Sequence, residues 1–277
     1  MPSLLIFGLG YTAQVVAAQA RAKGWDVRAT GSAGDTAFDD TATVRLLIAQ
    51  ADAVLSSVPP MTDGDPVLGA YGVDLKQTTA TLGYLSSTGV YGDAGGSWVD
   101  ESAPIKGRRA NRNDADGDWL KMGARVYRLP GIYGPGRSAL DRVAQGKAHR
   151  IDLPDQIFSR IHVDDIASAV MLGWDAPPGA YNISDDLPCS QNRVIEAACD
   201  VLGLPHPPLQ SLDEAQLSPM ALAFYAENRR VANGKAKRVL GWQPRYPTYV
   251  EGLRALSATI SPASASTQPA IPNPVQR

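Results

Sequence analysis

The chain has 277 residues, a formal charge of −2 and a pI near 5.9, which fits one large α/β domain or a nucleotide domain with a smaller cap and leaves no basic footprint for nucleic acid. Its three histidines and two cysteines, Cys189 and Cys199, lack metal-ligand spacing, so neither a metal site nor a disulfide is expected. No apolar run approaches the roughly 20 residues of a membrane span. The first strand, Leu4-Leu5-Ile6-Phe7, starts so near Met1 that no secretory leader is expected, and the expected location is cytoplasmic. It runs into Gly8-Leu9-Gly10-Tyr11-Thr12-Ala13 and a helix from Gln14 to Lys23, closed by Gly24. A strand that turns tightly into a helix builds a dinucleotide site. Gly8 takes the turn, Gly10 lets backbone approach a pyrophosphate, and Ala13 is small enough for the helix to pack on the strand. The helix start, Tyr11 and Thr12 included, supplies free N–H groups where phosphates would sit.

Trp25 to Thr30 reads as a second strand whose end faces the adenosine ribose. An acid there favours NAD; here Thr30, Gly31 and Ser32 stand at the end and Asp35 comes late in a turn, which leans the cofactor to NADP over NAD. Thr30 and Ser32 fit a ribose-side contact and a turn cap equally well. Thr43 to Ala51 has a helical pattern, and Asp52 to Val58 is a buried strand stopped by Pro59-Pro60, which brings Ser57 and Val58 to the crevice. A crossover helix over Pro66 to Ala80 leads to the strand Leu82 to Ser87. This alternation from Ser3 to Leu129 predicts an α/β, doubly wound parallel sheet (a Rossmann fold), with ligands at the carboxyl ends of its strands.

A long glycine-rich loop, Gly89 to Gly107, precedes a helix near Asp114 to Met122 and a strand over Ala124 to Leu129. The loop from Pro130 to Arg137 should lie against the nicotinamide half of the cofactor, with Pro130 and Ile132 touching it. From Ser138 the alternation fades. Ile157 to Val163 reads as a strand, Asp164 to Leu172 as a helix capped by Asp164, and Ala180 to Ile183 as a short strand. Helical patterns follow at Ser190 to Leu202, Val231 to Gly241 and Tyr249 to Leu256. The expected division is a dinucleotide-binding domain over 1–137 with part of 138–185, an interleaved substrate-binding α/β region over 138–258, and a loose tail over 259–277.

Several segments form a recognisable set: Gly8-x-Gly10-x-x-Ala13, Ser86-Ser87-Thr88-Gly89-Val90-Tyr91-Gly92, Glu101-x-x-Pro104, Arg128-x-Pro130-Gly131-Ile132-Tyr133-Gly134-Pro135-Gly136, His162-Val163-Asp164-Asp165 and Leu240-Gly241-Trp242-x-Pro244. Together they resemble the extended short-chain dehydrogenase/reductases, the superfamily of nucleotide-sugar epimerases and dehydratases. Ser57-Val58-Pro59-Pro60 with Gly64-Asp65-Pro66, Trp98-Val99-Asp100-Glu101 and Glu227-Asn228-x-x-Val231 resemble its atypical, YeeZ-like subgroup. The resemblance implies NADP or NAD as cofactor, a small-molecule substrate that in relatives can be a sugar nucleotide, and a homodimer by analogy. It implies Ser87 as the hydroxyl that holds the substrate oxygen, Ser86 beside the cofactor, and Thr88, Arg137 and Arg160 on the substrate.

Superfamily members use a tyrosine of depressed pKa to exchange a proton with the substrate, and a lysine four residues later to steady it. Here no tyrosine lies between Tyr91 and Tyr127, and Arg109 to Asp116 contains no Tyr-x-x-x-Lys. Tyr133, on the loop expected near the nicotinamide, is the candidate replacement, although a structural hydroxyl that packs this loop fits it better. Tyr91 reads as part of a structural turn, and Arg109 or Arg112 would bring charge without proton traffic. His162 with Asp164 and Asp165 fits a helix start better than a general base. Two functions are therefore expected: an NAD(P)-dependent epimerase/dehydratase-like oxidoreductase, or an NAD(P)-binding redox-sensing protein without catalysis.

Overall fold

Four consecutive residues with almost no solvent contact, Leu4 to Phe7, set the architecture. Leu4 and Ile6 enter one helical layer and Leu5 and Phe7 the other, so the strand has no wet face, as a central parallel strand requires. Burying side chains of this size stabilises the fold by roughly 1.5–3 kcal/mol each. The computed structural model describes residues 1–259, apart from the side chains of residues 220 and 221. β1 (Ser3–Phe7), α1 (Tyr11–Ala22), β2 (Asp26–Ala29), α2 (Thr41–Gln50), β3 (Ala53–Ser56), α3 (Pro66–Gln77) and β4 (Thr81–Ser87) alternate as the sequence predicts. A 3-10 turn at Thr88–Tyr91 and the short β5 (Trp98–Val99) lead to α4 (Ala110–Lys121) and β6 (Arg125–Leu129). β7 (Gly131–Tyr133), α5 (Ala139–Ala144), β8 (Arg150–Ile151), β9 (Arg160–His162), α6 (Val163–Gly173) and β10 (Gly179–Asn182) follow. The last elements are α7 (Gln191–Leu202), β11 (Leu209–Gln210), α8 (Pro219–Tyr225), β12 (Arg230–Val231), α9 (Gly234–Leu240) and α10 (Tyr249–Thr259).

The central sheet has six parallel strands in the order β10-β6-β4-β3-β1-β2. α1, α6, α9 and Trp242 cover one face; α2, α3 and α4 cover the other. β2 and β3 lie on opposite sides of β1, so the winding reverses there and opens a crevice beyond the carboxyl ends of β1 and β3. A smaller core that includes Tyr133, Leu140, Ile195, Tyr249 and Leu253 ties α5, α7 and α10 together. Both cysteines are free and buried.

Sheet growth stops at β2. One parallel bridge, Thr30 to Thr36, stands beyond it, and this edge strand carries Asp26 and Arg28, the latter paired with Asp35 at 2.7 Å. At the other edge, the amide of Asn182 donates to Glu101 Oε1 (2.7 Å) and Lys235 Nζ donates to the carbonyl of Ala180 (2.8 Å).

Some boundaries differ from expectation for local reasons. α4 begins four residues before Asp114, with Arg109 at its N-cap. The N-cap of α6 is His162, whose Nδ1 accepts the amide of Asp164 at 3.2 Å; Asp164 itself is already inside the helix. α5 was not anticipated, although Ser138 and Asp141 form a reciprocal capping box at its start. The tail expected from Thr259 lies outside the described residues except for Thr259, which ends α10. Among the described residues no helix is long and apolar enough to cross a membrane, and no cluster of three or more His, Cys, Asp or Glu side chains is placed to hold a metal ion.

Candidate functional site

Gly8 leaves β1 with φ +81°, and a Cβ there would stand 3.0 Å from Val58 Cγ2. Its neighbours hold the turn from both sides. The hydroxyl of Ser57 donates to the Gly8 carbonyl, and the Ser57 amide donates to the Phe7 carbonyl at 2.9 Å. The Gly8 amide donates to Thr30 Oγ1 (3.4 Å) and the Leu9 amide to the Thr30 carbonyl (3.1 Å). Gly10 is the N-cap of α1 and supplies no side-chain cap, and the first helical turn has no acid. The first intrahelical bond runs from the Gln14 amide to the Gly10 carbonyl, so the amides of Tyr11, Thr12 and Ala13 have no acceptor within the helix. A Cβ on Gly10 would meet nothing within 4 Å. The cavity at this point measures about 270 Å³ and is lined by Gly8, Leu9, Gly10, Gly31, Ser32, Ser57, Val58 and Pro59.

The structure therefore brings Gly8, Gly10, Ser32, Ser57 and Val58 together at one crevice, with Tyr11 and Thr12 at its helical lip. Sequence reasoning missed Leu9, Gly31 and Pro59 as lining residues; the strand-stopping Pro59-Pro60 was the available signal for the last. Ala13 is fully buried under β1 and shapes the crevice through packing. Thr30 is buried, and its hydroxyl accepts from the glycine turn, so of the two predicted ribose-side residues it is Ser32 that remains exposed. Asp35 folds back onto β2, where Oδ1 accepts the Ala29 amide (3.0 Å) and Oδ2 pairs with Arg28.

Beyond β4, Ser87 is half-buried, and its Oγ accepts the Gly89 amide at 3.1 Å, which leaves the hydroxyl proton free to donate. Thr88 is buried beside it. Ser86, expected beside the cofactor, faces α4 instead and donates to Asp116 at 2.6 Å, because alternate residues of a strand point to opposite faces. The Tyr91 hydroxyl donates to Asn182 Oδ1 (2.7 Å) and accepts from Arg128 (3.0 Å), so it is fully committed. In the first turn of α4, Asn111 donates to the carbonyls of Pro60 and Met61 at 3.2 and 3.1 Å. Arg108 pairs with Glu227 at 2.7 Å and donates to the Ala223 carbonyl of α8, which ties that segment to this helix start.

Pro130 and Ile132 are half-buried, and Ile132 packs on the main core. Tyr133 turns inward: its hydroxyl has no hydrogen bond, its ring stands edge-on to His162, and a Cβ on Gly252 would fall 2.1 Å from its oxygen. Burial drives its pKa upward, the opposite of what a neutral-pH acid/base tyrosine needs. Arg160 is buried, donates to Cys189 Sγ (2.9 Å) and lies over the Tyr249 ring. Arg137 is exposed and lies over the ring of Tyr11, 5.6 Å from its centroid. His162 caps α6, and burial lowers its pKa. Asp165 accepts the amides of Arg245 (2.6 Å) and Tyr246 (3.1 Å), which ties the Arg245-Tyr246 segment to α6. A second concavity of about 310 Å³ lies between Trp98 and Ala232; its one acid, Asp100, already accepts from Ser102.

No family model matches the chain. A functionally unknown conserved protein from Silicibacter pomeroyi superposes with a TM-score of 0.82 at 38% identity, over 93% of this chain and 99% of that one, and the chain belongs to the same family. Protein YeeZ of Escherichia coli strain K12 is 25% identical over 89% of this chain and 97% of its own length. A 3-diazoavenalumate denitrifying reductase from a Streptomyces species is 31% identical over 143 residues, 46% of this chain, and the match spans 45% of that relative's length. A human epimerase family protein solved with NADPH has a TM-score of 0.74 at 15% identity, over 93% of this chain and 100% of that one. The fold is shared with that human protein and with a putative NAD-dependent epimerase/dehydratase from Methylobacillus flagellatus, which has a TM-score of 0.72 at 23% identity over 93% of this chain and 98% of that one.

The glycine turn and the end of β3 line the crevice, and Ser87 ends β4, the strand beside β3. The departure is local. At the start of α4, near where a tyrosine and lysine are expected from the resemblance, the chain carries Asn111, held by two backbone carbonyls, between Arg108 and Arg112.

Proposed function

We propose that the chain is an NAD(P)-binding oxidoreductase of the short-chain dehydrogenase type, acting on a small polar carbonyl or hydroxyl compound, free or nucleotide-linked. One observation carries this reading. At the reversal of winding, an uncapped helix start faces a cavity that Gly10 leaves open. Unpaired amides at such a point suit the diphosphate of a dinucleotide. Gly8, Gly10, Tyr11 and Thr12 would hold the diphosphate through backbone, and Val58 and Ser57 would wall the ribose side. With Asp35 turned back onto β2 and Ser32 exposed, the β2 end has room for a 2′-phosphate, which favours NADP over NAD.

The nicotinamide, when bound, supplies or accepts hydride. Ser87 orients the substrate: with its oxygen occupied by the Gly89 amide, its proton is directed at a carbonyl oxygen. Proton exchange is left to solvent, because Tyr133 and Tyr91 are both turned into the protein. A second reading is favoured by the occupied α4 start: a dinucleotide-binding protein that signals redox state without turnover.

Calorimetric titration with NADPH and NADH, followed by NADPH oxidation across a panel of aldehydes, ketones and sugar nucleotides, separates the two. Micromolar binding with turnover that falls about a hundredfold in Ser87→Ala, at unchanged NADPH affinity, is the expected result. Binding without turnover selects the signalling reading, and no uptake of either nucleotide ends both.

A further inference from the structure

Pro59 lines the crevice, and the chain that follows it has little means of holding itself there. Neither Pro59 nor Pro60 carries an N–H, so this wall has no amide to tie to a neighbour. Beyond them the Met61 amide donates to the Gly64 carbonyl (2.8 Å) and the Gly64 amide returns to the Met61 carbonyl (3.3 Å), which closes the turn on itself. Pro60 is buried, and a buried carbonyl needs a donor. Among the described residues, one side chain from outside the segment 58–64 donates a hydrogen bond into it. Asn111 Nδ2 reaches the Pro60 carbonyl at 3.2 Å and the Met61 carbonyl at 3.1 Å.

The arrangement demands a primary amide. Its nitrogen has two protons, one for each carbonyl. On the other side, Asn111 Oδ1 accepts the Arg112 amide at 3.0 Å. Two carbonyls facing one end and an N–H facing the other fix which atom is the nitrogen. A carboxylate of the same shape would set oxygen against oxygen at both carbonyls. The first turn of α4 can anchor the wall because it is fastened elsewhere too. Asn113 donates to the Gly107 carbonyl at 2.8 Å, the Gly107 amide donates to the Val90 carbonyl at 2.8 Å, and a Cβ on Gly107 would run into the Gly89 carbonyl. Gly89 is the residue whose amide holds Ser87 Oγ.

We propose, on the dinucleotide reading above, that Asn111 is a positioning residue for the cofactor: it latches the Pro59–Met61 wall to α4 and so sets the width of the crevice between that wall and the glycine turn. One helix start then joins the wall at the end of β3 to the Ser87 turn at the end of β4. The cofactor side and the substrate side of the crevice are spaced by the same few residues.

Hydrogen exchange of the Met61 and Gly64 amides, together with calorimetric titration by NADPH, tests the latch in wild-type protein, Asn111→Leu and Asn111→Asp. Leucine removes the clamp without adding charge; aspartate keeps the acceptor for the Arg112 amide and loses both donors. The expected result is about tenfold faster exchange at Met61 and Gly64 in both unliganded variants, about fivefold weaker NADPH binding by both, and unchanged exchange in β1 and β3. Exchange at Met61 and Gly64 that stays at the wild-type rate overturns the latch. A loss of affinity confined to Asn111→Asp overturns the positioning role, because charge then acts instead of geometry, and so does faster exchange with NADPH affinity intact. If wild-type protein takes up neither NADPH nor NADH while both variants exchange faster, the dinucleotide reading falls and the latch stands.

Discussion

Asp116 and Arg128 are each almost fully buried and meet through two bonds, Nη2 to Oδ1 at 2.6 Å and Nε to Oδ2 at 3.0 Å. Ser86 completes the carboxylate and Tyr91 takes the remaining guanidinium nitrogen, so β4, α4, β6 and the 3-10 turn are pinned together. A buried pair of this kind adds little over an apolar substitute, but removing one partner strands the other. Asp116→Asn is therefore expected to destabilise the protein by about 3–5 kcal/mol, with Asp116→Asn/Arg128→Met recovering much of the loss. Urea denaturation checks it; a single variant as stable as wild type would mean the guanidinium reaches water or another acceptor. None of this network was legible in the sequence. Asp116 sat in a run of alternating charges that reads as a solvated helix face, and Tyr91 and Asn182 are 91 positions apart.

Elements were legible where two faces are buried or a glycine forces a turn. β1, the turn at Gly8 and α1 follow from an apolar run ended by glycine. The start of α4 was not, because Arg109 to Asn113 carries no apolar periodicity and its first turn is held by contacts to Gly107, Pro60 and Met61. The cap of α6 was misassigned to Asp164, since a histidine accepting through Nδ1 has no composition signal. The packing of the turn 134–137 on α1, where the Tyr11 hydroxyl donates to the Pro135 carbonyl at 3.1 Å, could be read from neither stretch alone. A Cβ on Gly134 would stand 2.6 Å from Tyr11 Oη and 2.7 Å from Val163 Cγ1, so Gly134→Ala is expected to cost about 1–3 kcal/mol by overpacking. Tyr11→Phe in the same background should return part of that, while the clash with Val163 stays. Additive losses in a double-mutant cycle would show that the turn and the ring do not meet.

Over the whole molecule, strand–helix alternation up to Leu129 made the sheet and its ligand-bearing end readable. The chain beyond Leu129 was less so, because its short strands pair over long separations, such as β12 with β5. Two buried acids, one on α6 and one just after β10, set the pH dependence of stability. Asp185 is buried, and burial, partly opposed by Arg160 and the Leu187 amide, pushes its pKa up to about 7; burial raises Asp165 to about 6 despite the Arg245 and Tyr246 amides. Asp165 and Asp186 also face Asp185 and add to the rise. A carboxyl whose folded pKa is raised keeps a proton that the unfolded chain gives up near pH 4, so stability falls as pH climbs from about 4 to about 7 and then levels. For Asp185 this amounts to at most about 4 kcal/mol. Asp185→Asn should flatten most of that fall and leave the variant more stable than wild type at about pH 8. Chemical denaturation across that range decides; parallel profiles for the two proteins would place the titrating group elsewhere.

The two margins of the central sheet carry one more consequence. At β2 a four-residue margin bears an acid and a base, and at β10 a glutamate and a lysine already engage the outward main chain. Neither margin offers an unbroken ladder of vacant amides and carbonyls to a strand from a second molecule. Crowded solutions of the folded protein should therefore resist the growth of β-rich fibres, with this protection built into the ends of the sheet.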